Sequence, residues 1–367
     1  MSAPMELDRS EPGVVRVCLV SDPDLPSEIA GRLAEELPTV LRHRLSSTPM
    51  WEVRQVTAAL HADEQVGLAE LTLSIMEMMP DQYFDVLVFI TDLPRRAGRR
   101  PIAAELDTAV RLAIVSIPTM GLVGMYRRIR ETVVRLVAEL VVSEHRMPMG
   151  VDRVRLRSVS AQPLPAADDG SSEGLRLVGS RWIGPPRLVA GMVRANRPWR
   201  LFLGLSRSLA GVFAVASLAM INNTAWQIGD LLGPPRQVAL ALGAIAVLVA
   251  WLIIDHELWE RPTTPEERRR ARLYNTTTAI TLTVGVLCVY ATVFVGLLGT
   301  EALLLDANIL GSAISRTPRW SDWLAIAWFM TSAAIVGGAL GAGFEDDAVV
   351  RQAAYGQRQR RRNQGLG

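Results

Sequence analysis

Residues 277–298 read TTAITLTVGVLCVYATVFVGLL, a stretch without a single charged side chain. A helix rises about 1.5 Å per residue, so about 20 apolar residues cross the roughly 30 Å hydrocarbon core of a bilayer. Residues 201–221, 238–254 and 323–344 meet or approach this length and are almost free of formal charge. We therefore predict an α-helical transmembrane domain of four spans over residues 201–344.

The arginines that flank these stretches predict their orientation. Fourteen arginines lie close to the start of the first span (residues 194–207), between the second and third spans, or in the basic tail 345–367, whereas three lie in the other two connections. Cytoplasmic flanks carry the excess of basic residues, so we expect a plasma (inner) membrane protein with both termini in the cytoplasm. Attraction to anionic lipid accounts for the tail, and no nucleic-acid partner is expected.

Composition excludes several classes of enzyme. The chain has 367 residues and a mean hydropathy of +0.21, and its 39 basic residues are all arginine. Without lysine, the Schiff-base lysine of pyridoxal enzymes and the phosphate lysines of P-loop NTPases and protein kinases are absent. The two cysteines, Cys18 and Cys288, have no CxxC neighbour, which argues against structural zinc and iron–sulfur sites. No cofactor is expected.

The amino-terminal residues 1–160 predict a cytosolic α/β domain. Apolar runs typical of strands occupy residues 14–20, 51–56 and 84–90, and helical spacing occupies residues 25–44 and 62–79 between them. The run 84–90 (FDVLVFI) is apolar almost without interruption, as in a strand buried on both faces. The alternation of strands and helices predicts a mainly parallel sheet with right-handed crossovers.

After residue 100 the predicted elements no longer alternate between strand and helix. Residues 102–106 and 112–117 predict a hairpin at the sheet edge, residues 121–143 an amphipathic helix and residues 151–159 a half-buried strand. Residues 161–184 are rich in Pro, Ala, Asp and Ser near their start and predict a linker. Residues 185–200 mix apolar and basic positions, which favours an interfacial elbow helix on the anionic cytoplasmic leaflet.

Charged residues follow two of the predicted parallel strands. In open parallel sheets ligands bind at the carboxyl ends of the strands, near a reversal of strand order. Two interpretations of these residues stay open. Their carboxylates hold a metal ion while the arginines grip a phosphate, or an ordinary helix cap precedes a solvated charged loop, which is the interpretation we favour. The candidates are Asp22 and Asp24 after the first strand, Asp92 after the third, and Arg95, Arg96, Arg99 and Arg100 beyond it.

Three features of the membrane domain bear on its role. Gly337 and Gly341 form a small-xxx-small pair in the fourth span, which predicts close helix packing inside the bundle or between protomers of a homo-oligomer. Residues 300–314 are apolar but too short to span, so they predict a helix on the outer surface or a re-entrant segment. No acidic residue lies in the middle of a predicted span, which argues against proton- or sodium-coupled transport.

Two resemblances add to these predictions. The stretch MVRANRPWRLFLGLSRSLAG (192–211), the four spans and the tail EDDAVVRQAAYGQRQRR (345–361) resemble an uncharacterised family of actinobacterial membrane proteins, which implies no known activity. The order FDVLVFITDLP (84–94), hairpin, LAIVSIP (112–118) and helix is similar to the core of archaemetzincin-like proteins. The zinc-binding histidines of those proteins are absent at residues 137–141, so no active-site residue is implied.

The sequence thus predicts an integral membrane protein, leaning towards a non-catalytic role. Its cytosolic α/β domain would bind a protein partner or a small ligand as a sensor or scaffold. One alternative is a small transporter or channel formed by the four-span bundle. Another is a metal-dependent hydrolase that uses Asp22 and Asp92 of the cytosolic domain.

Overall fold

The computed structural model divides the chain into two compact units, Met1–Ala195 and Asn196–Gly367. Much of the first predicted span, the predicted strand 151–158 and the basic tail lie outside the described residues. The described residues are 13–45, 49–59, 68–79, 83–98, 100–145, 159–163, 174–198, 212–213, 216–217, 222–262 and 264–341.

The first unit is an α/β domain built on one mixed sheet, in the strand order β2-β1-β3-β6-β5-β8-β7 with β4 paired to β5. Strands β2, β1, β3 and β6 are parallel neighbours. The strands are β1 Val14–Ser21, β2 Met50–Thr57, β3 Val86–Thr91, β4 Arg95–Ala97, β5 Arg100–Asp107, β6 Leu112–Ser116, β7 Val159–Pro163 and β8 Gly174–Gly179. The helices are α1 Leu25–Arg44, α2 Leu68–Met78, α3 Met125–His145 and α4 Gly184–Ala195, with a 3₁₀ turn at Ile117–Met120.

The second half of the sheet corrects three predictions. Strands β5 and β8 pair antiparallel, as do β7 and β8, so the sheet is mixed and not mainly parallel. The β5–β6 hairpin forms as predicted but lies inside the sheet, because β8 covers β5. The predicted linker 161–184 was wrong in part, because Gly174–Gly179 forms β8, whose Leu177 and Val178 are both fully buried where the strand pairs with β5.

Helices cover both faces of the sheet. Ile29, Leu33, Leu37 and Leu41 of α1 are spaced four apart and form one buried stripe on the face that also carries α3. On the other face Leu71 and Ile75 of α2 pack on Cys18, Val20 and Phe89. Alternate side chains of β1 therefore enter two different cores, which is why its sequence is apolar at nearly every position.

Helix α4 was predicted to lie on the membrane, but its apolar side is buried in the α/β domain. Leu188, Met192 and Val193 are buried, and the helix contacts the 3₁₀ turn and β5. Gly191 makes the closest approach: a Cβ atom there would lie 1.9 Å from the Pro118 carbonyl oxygen. The helical periodicity was correct, whereas the surface that its apolar side meets could not be read from that periodicity.

The second unit is helical, with capped starts that its sequence explains. The Asn222 and Asp306 side chains each accept a hydrogen bond from the backbone two residues on, and Thr264 with Glu267 forms a capping box. Its described helices are α5 Asn223–Leu231, α6 Pro234–Asp255, α7 Pro265–Leu304, α8 Ala307–Ile314 and α9 Trp320–Gly341.

In the described part of this unit, two helices are long and apolar enough to cross a membrane: Pro234–Asp255, and Glu267–Leu304 within α7. Their apolar windows are 28% and 39% buried, so most of this apolar surface faces outward. Exposed Leu242, Val247 and Val295 are examples. Such exposure is costly in water and favourable in lipid. Helix α9 includes most of the predicted fourth span.

One prediction in this unit needs correction, and another stays open. Residues 300–314 are not one short segment, because α7 continues to Leu304 and α8 begins at Ala307. Gly337 was expected to mark close helix packing inside the bundle; among the described residues no atom outside its own helix lies within 4 Å of the position of its missing Cβ, and the packing stays a prediction. A contact between protomers remains a prediction.

Candidate functional site

The strand order reverses between β1 and β3. Helix α1 carries the chain from β1 to β2 on one side, whereas β3 leads to β4, β5 and β6 on the other. Such a reversal leaves a crevice at the carboxyl ends of the two strands, where open α/β sheets bind their ligands. Asp22, Asp24 and Asp92 follow these strands, as the sequence predicted.

A buried polar row runs along this edge of the sheet. Asp22, Thr91 and Ser116 follow one another across β1, β3 and β6, on the face that carries α2. The Thr91 hydroxyl donates to the Asp22 carboxylate at 2.6 Å, and the Ser116 hydroxyl donates to the Leu93 carbonyl at 2.7 Å. The row ties the ends of three parallel strands together, so Asp22 serves the structure of the edge.

Replacing Thr91 by valine should lower the free energy of unfolding of the α/β domain by about 1–3 kcal/mol. The Thr91 hydroxyl donates to buried Asp22 and also accepts from the Leu93 amide at 3.0 Å, and valine supports neither bond. Hydrogen exchange of the β1 and β3 amides in the full chain measures the change.

Thr72→Val is the matched control, because its hydroxyl bonds only to Leu68 of its own helix. That variant should change the free energy of unfolding obtained from hydrogen exchange by less than about 1 kcal/mol. Equal effects of the two variants would contradict the role assigned to the polar row.

Asp24 and Asp92 are the carboxylates of this edge that stay half-exposed. Asp24 occupies the position before α1 with φ 67° and makes no side-chain capping hydrogen bond, which corrects the expectation that it serves as an ordinary helix cap. A positive φ is unusual for aspartate and costs energy, and such strain is often found at functional sites. Within the part of the chain that the structure describes, no three His, Cys, Asp or Glu side chains are grouped to hold a metal ion.

One of the arginines proposed to grip a phosphate is used in a buried ion triad. Arg95 lies buried on β4 and donates to Glu105 at 2.6 Å, and Arg176 donates to the other Glu105 oxygen at 2.6 Å. Arg95 is therefore committed to a buried ion triad. Arg96 and Arg100 are half-buried on the β4–β5 hairpin, and Arg99 lies outside the described residues. Strand β5 is three positions from β1, about 14 Å across the sheet.

Burial also determines the protonation state of the one cysteine of this domain. Cys18 is fully buried in the core under α2. Burial raises the pKa of its thiol to about 12, against which the positive charge of Arg54 acts more weakly. The thiol therefore stays neutral at physiological pH, and neutral thiols are poor nucleophiles.

A pair of arginines missed by the sequence analysis converges beside the same edge. Arg128 of α3 donates to the Met120 carbonyl at 2.6 Å, and Arg187 of α4 donates to the same oxygen at 3.1 and 3.3 Å. Burial lowers the pKa of the Arg187 guanidinium, and the positive charge of Arg128 lowers it further. Arg128 stood among other arginines of an amphipathic helix, so no sequence signal would pair it with Arg187.

A second missed residue is Glu301 in the helical unit. It is fully buried, and among the described residues neither carboxylate oxygen has a hydrogen-bond partner. The predicted span ended at residue 298, so Glu301 was assigned to the outer connection. In the structure it belongs to the candidate membrane helix Glu267–Leu304.

Comparison of the chain with protein families, with curated proteins and with solved structures finds no match. Fold and site geometry therefore carry the functional argument.

Proposed function

We propose that this chain is a plasma membrane protein with four spans and cytoplasmic termini, whose α/β domain binds a small ligand or protein partner without catalysing a reaction. The two candidate membrane helices and their exposed apolar surface support the membrane assignment. Helix α9 and residues 201–221 would supply the other two spans. The protein would act as a sensor or scaffold.

The observation that carries the binding role is the polar edge between β1 and β3. Asp22 and Thr91 join the two strands by a 2.6 Å hydrogen bond at the reversal of strand order, and half-exposed Asp24 and Asp92 flank that bond. The best-placed carboxylate is thus used to hold the edge, and the buried thiol of Cys18 is neutral. Binding without turnover fits this set of groups better than catalysis.

Thermal unfolding of the full chain in lipid nanodiscs, against nucleotides, phosphate esters and divalent metals, tests the binding role. A ligand at a hundred times its dissociation constant adds about 2.7 kcal/mol, a shift of roughly 2–4 °C for a chain of this size. Asp92→Asn should abolish the shift, whereas Glu70→Gln, an exposed acid on α2, should keep it. A shift that survives Asp92→Asn would contradict the site, and turnover lost in Asp92→Ala would contradict the non-catalytic role.

Glu301 favours transport by the helical bundle as a second candidate function. An ionisable side chain buried at membrane depth is expensive and usually serves an ion or proton pathway. Glu301 is fully buried in a candidate membrane helix, and within the described part of the chain it has no ion-pair partner. This residue weakens the argument against transport that the sequence suggested.

If the bundle carries protons, wild-type protein in liposomes should dissipate an imposed pH gradient and Glu301→Gln should not. The uncharged amide keeps the shape of the side chain and removes its exchangeable proton. A pH-sensitive dye inside the liposomes measures the flux. Glu257→Gln is the control, because this glutamate is exposed beyond the end of α6. Equal flux through wild type, Glu301→Gln and protein-free liposomes would reject this second function.

A further inference from the structure

Strand β2 lies at one end of the sheet order, and among the described residues no other strand pairs with its outer side. Its eight residues pair with β1 in one unbroken register, from Met50 opposite Val14 to Thr57 opposite Ser21. Proteins discourage further pairing at a sheet edge with a proline, a bulge or a very short strand, and β2 has none of these. A long, regular edge of this kind is a template for another strand.

The hydrogen bonds to β1 determine which peptide groups of β2 point outward. The Met50 amide donates to the Gly13 carbonyl at 2.7 Å, and the Ala58 amide, directly after the strand, donates to the Ser21 carbonyl at 2.9 Å. The even-numbered residues of β2 therefore bond to β1. Because the peptide groups of successive residues in a strand point to opposite sides, those of Val53 and the other odd-numbered residues point away from β1.

The middle of this edge carries two opposite charges, two positions apart. Side chains alternate between the faces of a sheet, so Glu52 and Arg54 share one face, where Arg54 donates to Glu52 at 2.8 Å. The Arg54 side chain is 60% exposed and that of Glu52 33%. Helix α1 covers the opposite face, where Gln55 donates to the Ser27 carbonyl. The two charged side chains can thus be reached by a second strand laid along the edge.

A second copy of β2 in antiparallel orientation matches these charges in one register. If the two-fold axis passes through Val53, Glu52 of each copy lies directly opposite Arg54 of the other. An axis at Glu52 would oppose two glutamates and an axis at Arg54 two arginines, and like charges directly opposite destabilise a pair. An axis at Gln55 gives no charge pair. In the register at Val53 the charges occupy non-hydrogen-bonded pairs, where the side chains of the two strands lie closest.

We propose that the α/β domain pairs with a second copy of this chain through β2, antiparallel and centred on Val53, with Glu52 and Arg54 forming two ion pairs across the axis. Glu52 also accepts from Arg16 and Arg54 of its own copy. A carboxylate offers about four acceptor sites, so the arginine of the second copy can join them. The sheet then continues through both copies, and the pairing goes beyond the proposed ligand site because it uses the opposite end of α1 and β1 from no residue of that site.

Disulfide cross-linking of the full chain in opened cells tests the pairing and its register. Two differently tagged copies, one with Glu52→Cys and one with Arg54→Cys, are expressed together, both with Cys288→Ser and with buried Cys18 retained, and are oxidised with copper phenanthroline. Directly opposite Cα atoms would lie about 4.5 Å apart, within disulfide range, whereas either variant paired with itself would be diagonal, about 7–8 Å apart. The mixed pair should give at least about fivefold more cross-linked dimer than either variant alone.

The ion pair that remains in the mixed dimer tests the role of charge. It joins Arg54 of the first copy to Glu52 of the second, so adding Glu52→Arg to the second copy should lower the cross-linked yield about two- to fivefold. Adding Arg54→Glu to the first copy as well should restore the yield, because the charges are then reversed and matched again. Glu70→Arg in the second copy, at an exposed acid on α2, is the control and should leave the yield unchanged.

Several results would overturn the pairing. Cross-linking that is equal for the mixed pair and for either variant alone, or absent from all three, contradicts it. Cross-linking of position 52 to a different protein would show that another partner occupies the edge. A yield that Glu52→Arg does not lower, or that the reversed charges do not restore, contradicts the register at Val53. Rescue by the reversed charges also separates a lost contact from misfolding, and none of these readouts depends on the membrane anchoring or on the polar edge between β1 and β3.

Discussion

Replacing Glu105 by alanine should lower the free energy of unfolding of the α/β domain by about 3–5 kcal/mol, the largest loss we expect from one side chain. Glu105 is 1% exposed and accepts from Arg95 and Arg176, whose side chains are 7% and 21% exposed. Alanine would leave two guanidinium ions in or near the core without their shared carboxylate. Hydrogen exchange of the β5 and β8 amides in the full chain measures the loss.

Glu52 provides a matched control for this variant. It also bridges two arginines, Arg16 and Arg54, but its side chain is 33% exposed. Hydrogen bonds from Arg54 and then Arg16 hold the pKa of Glu52 below its usual value, against the effect of burial. Water replaces these bonds readily at a surface, so Glu52→Ala should cost at most about 1 kcal/mol.

A triple replacement separates two explanations of the Glu105 effect. If the cost comes from uncompensated buried charge, changing Arg95 to Met, Glu105 to Leu and Arg176 to Met together should restore much of the stability. A triple variant as unstable as Glu105→Ala would show that the hydrogen bonds themselves hold β4, β5 and β8 together. Comparable losses for Glu105→Ala and Glu52→Ala would contradict the burial argument altogether.

Gly191→Ala should release α4 from the 3₁₀ turn, with the second largest effect. Alanine is favoured over glycine in a helix interior by about 1 kcal/mol. Here the added methyl group would lie 1.9 Å from the Pro118 carbonyl oxygen and 2.7 Å from its carbonyl carbon, both backbone atoms that cannot rotate away. Overpacking of this kind costs about 1–3 kcal/mol or more, so the clash outweighs the helix preference.

Faster hydrogen exchange of the α4 amides, by roughly 5- to 100-fold, is the expected readout of Gly191→Ala. Gly243→Ala is the control, since no described atom outside its own helix lies within 4 Å of the position of its missing Cβ on α6. That variant should be neutral or slightly stabilising. Unchanged exchange in α4 would show that this helix does not depend on its approach to Pro118, and would remove the support for the position of Arg187.

Local sequence signals predicted the parallel half of the fold well. Helix α1 was confirmed at residues 25–44, because proline begins it and four buried residues four apart define its inner face. Strands β1, β2 and β3 were confirmed to within two residues. Both signals depend on neighbours along the chain, and such signals are visible in a single sequence.

The antiparallel half depends on contacts that are distant in sequence. Strand β8 is six residues long and is held by Glu105, 71 positions before its partner Arg176. The residues that precede it are rich in Pro, Ala, Asp and Ser, and this composition predicted a linker. The amphipathic pattern of α4 was visible in the sequence. An apolar stripe can pack on other elements of the domain, here the 3₁₀ turn and β5, as well as on a bilayer. Tertiary packing determines which surface the apolar side of α4 contacts.

The candidate site, like the fold, could be predicted from the sequence only in part. The placement of Asp22 and Asp92 at one edge of the sheet could be predicted, because the carboxyl ends of parallel strands meet there. The commitment of Arg95 to Glu105 could not be predicted, since it depends on the register of the β4–β5 pair. The convergence of Arg128 and Arg187 depends on where α4 docks. Glu301 was overlooked because the predicted span was drawn from apolar residues alone and ended at residue 298. The helix itself continues to Leu304.

Cysteine accessibility in intact cells tests the central claim, a four-span protein with its α/β domain in the cytoplasm, most directly. Single cysteines at positions 70, 232, 264 and 317, in a chain with Cys288→Ser, are exposed to a membrane-impermeant maleimide. We predict that positions 232 and 317 react from outside, and that positions 70 and 264 react only after the cells are opened. Labelling of position 70 or 264 in intact cells, or release of the protein from membranes by alkaline carbonate, would contradict the account.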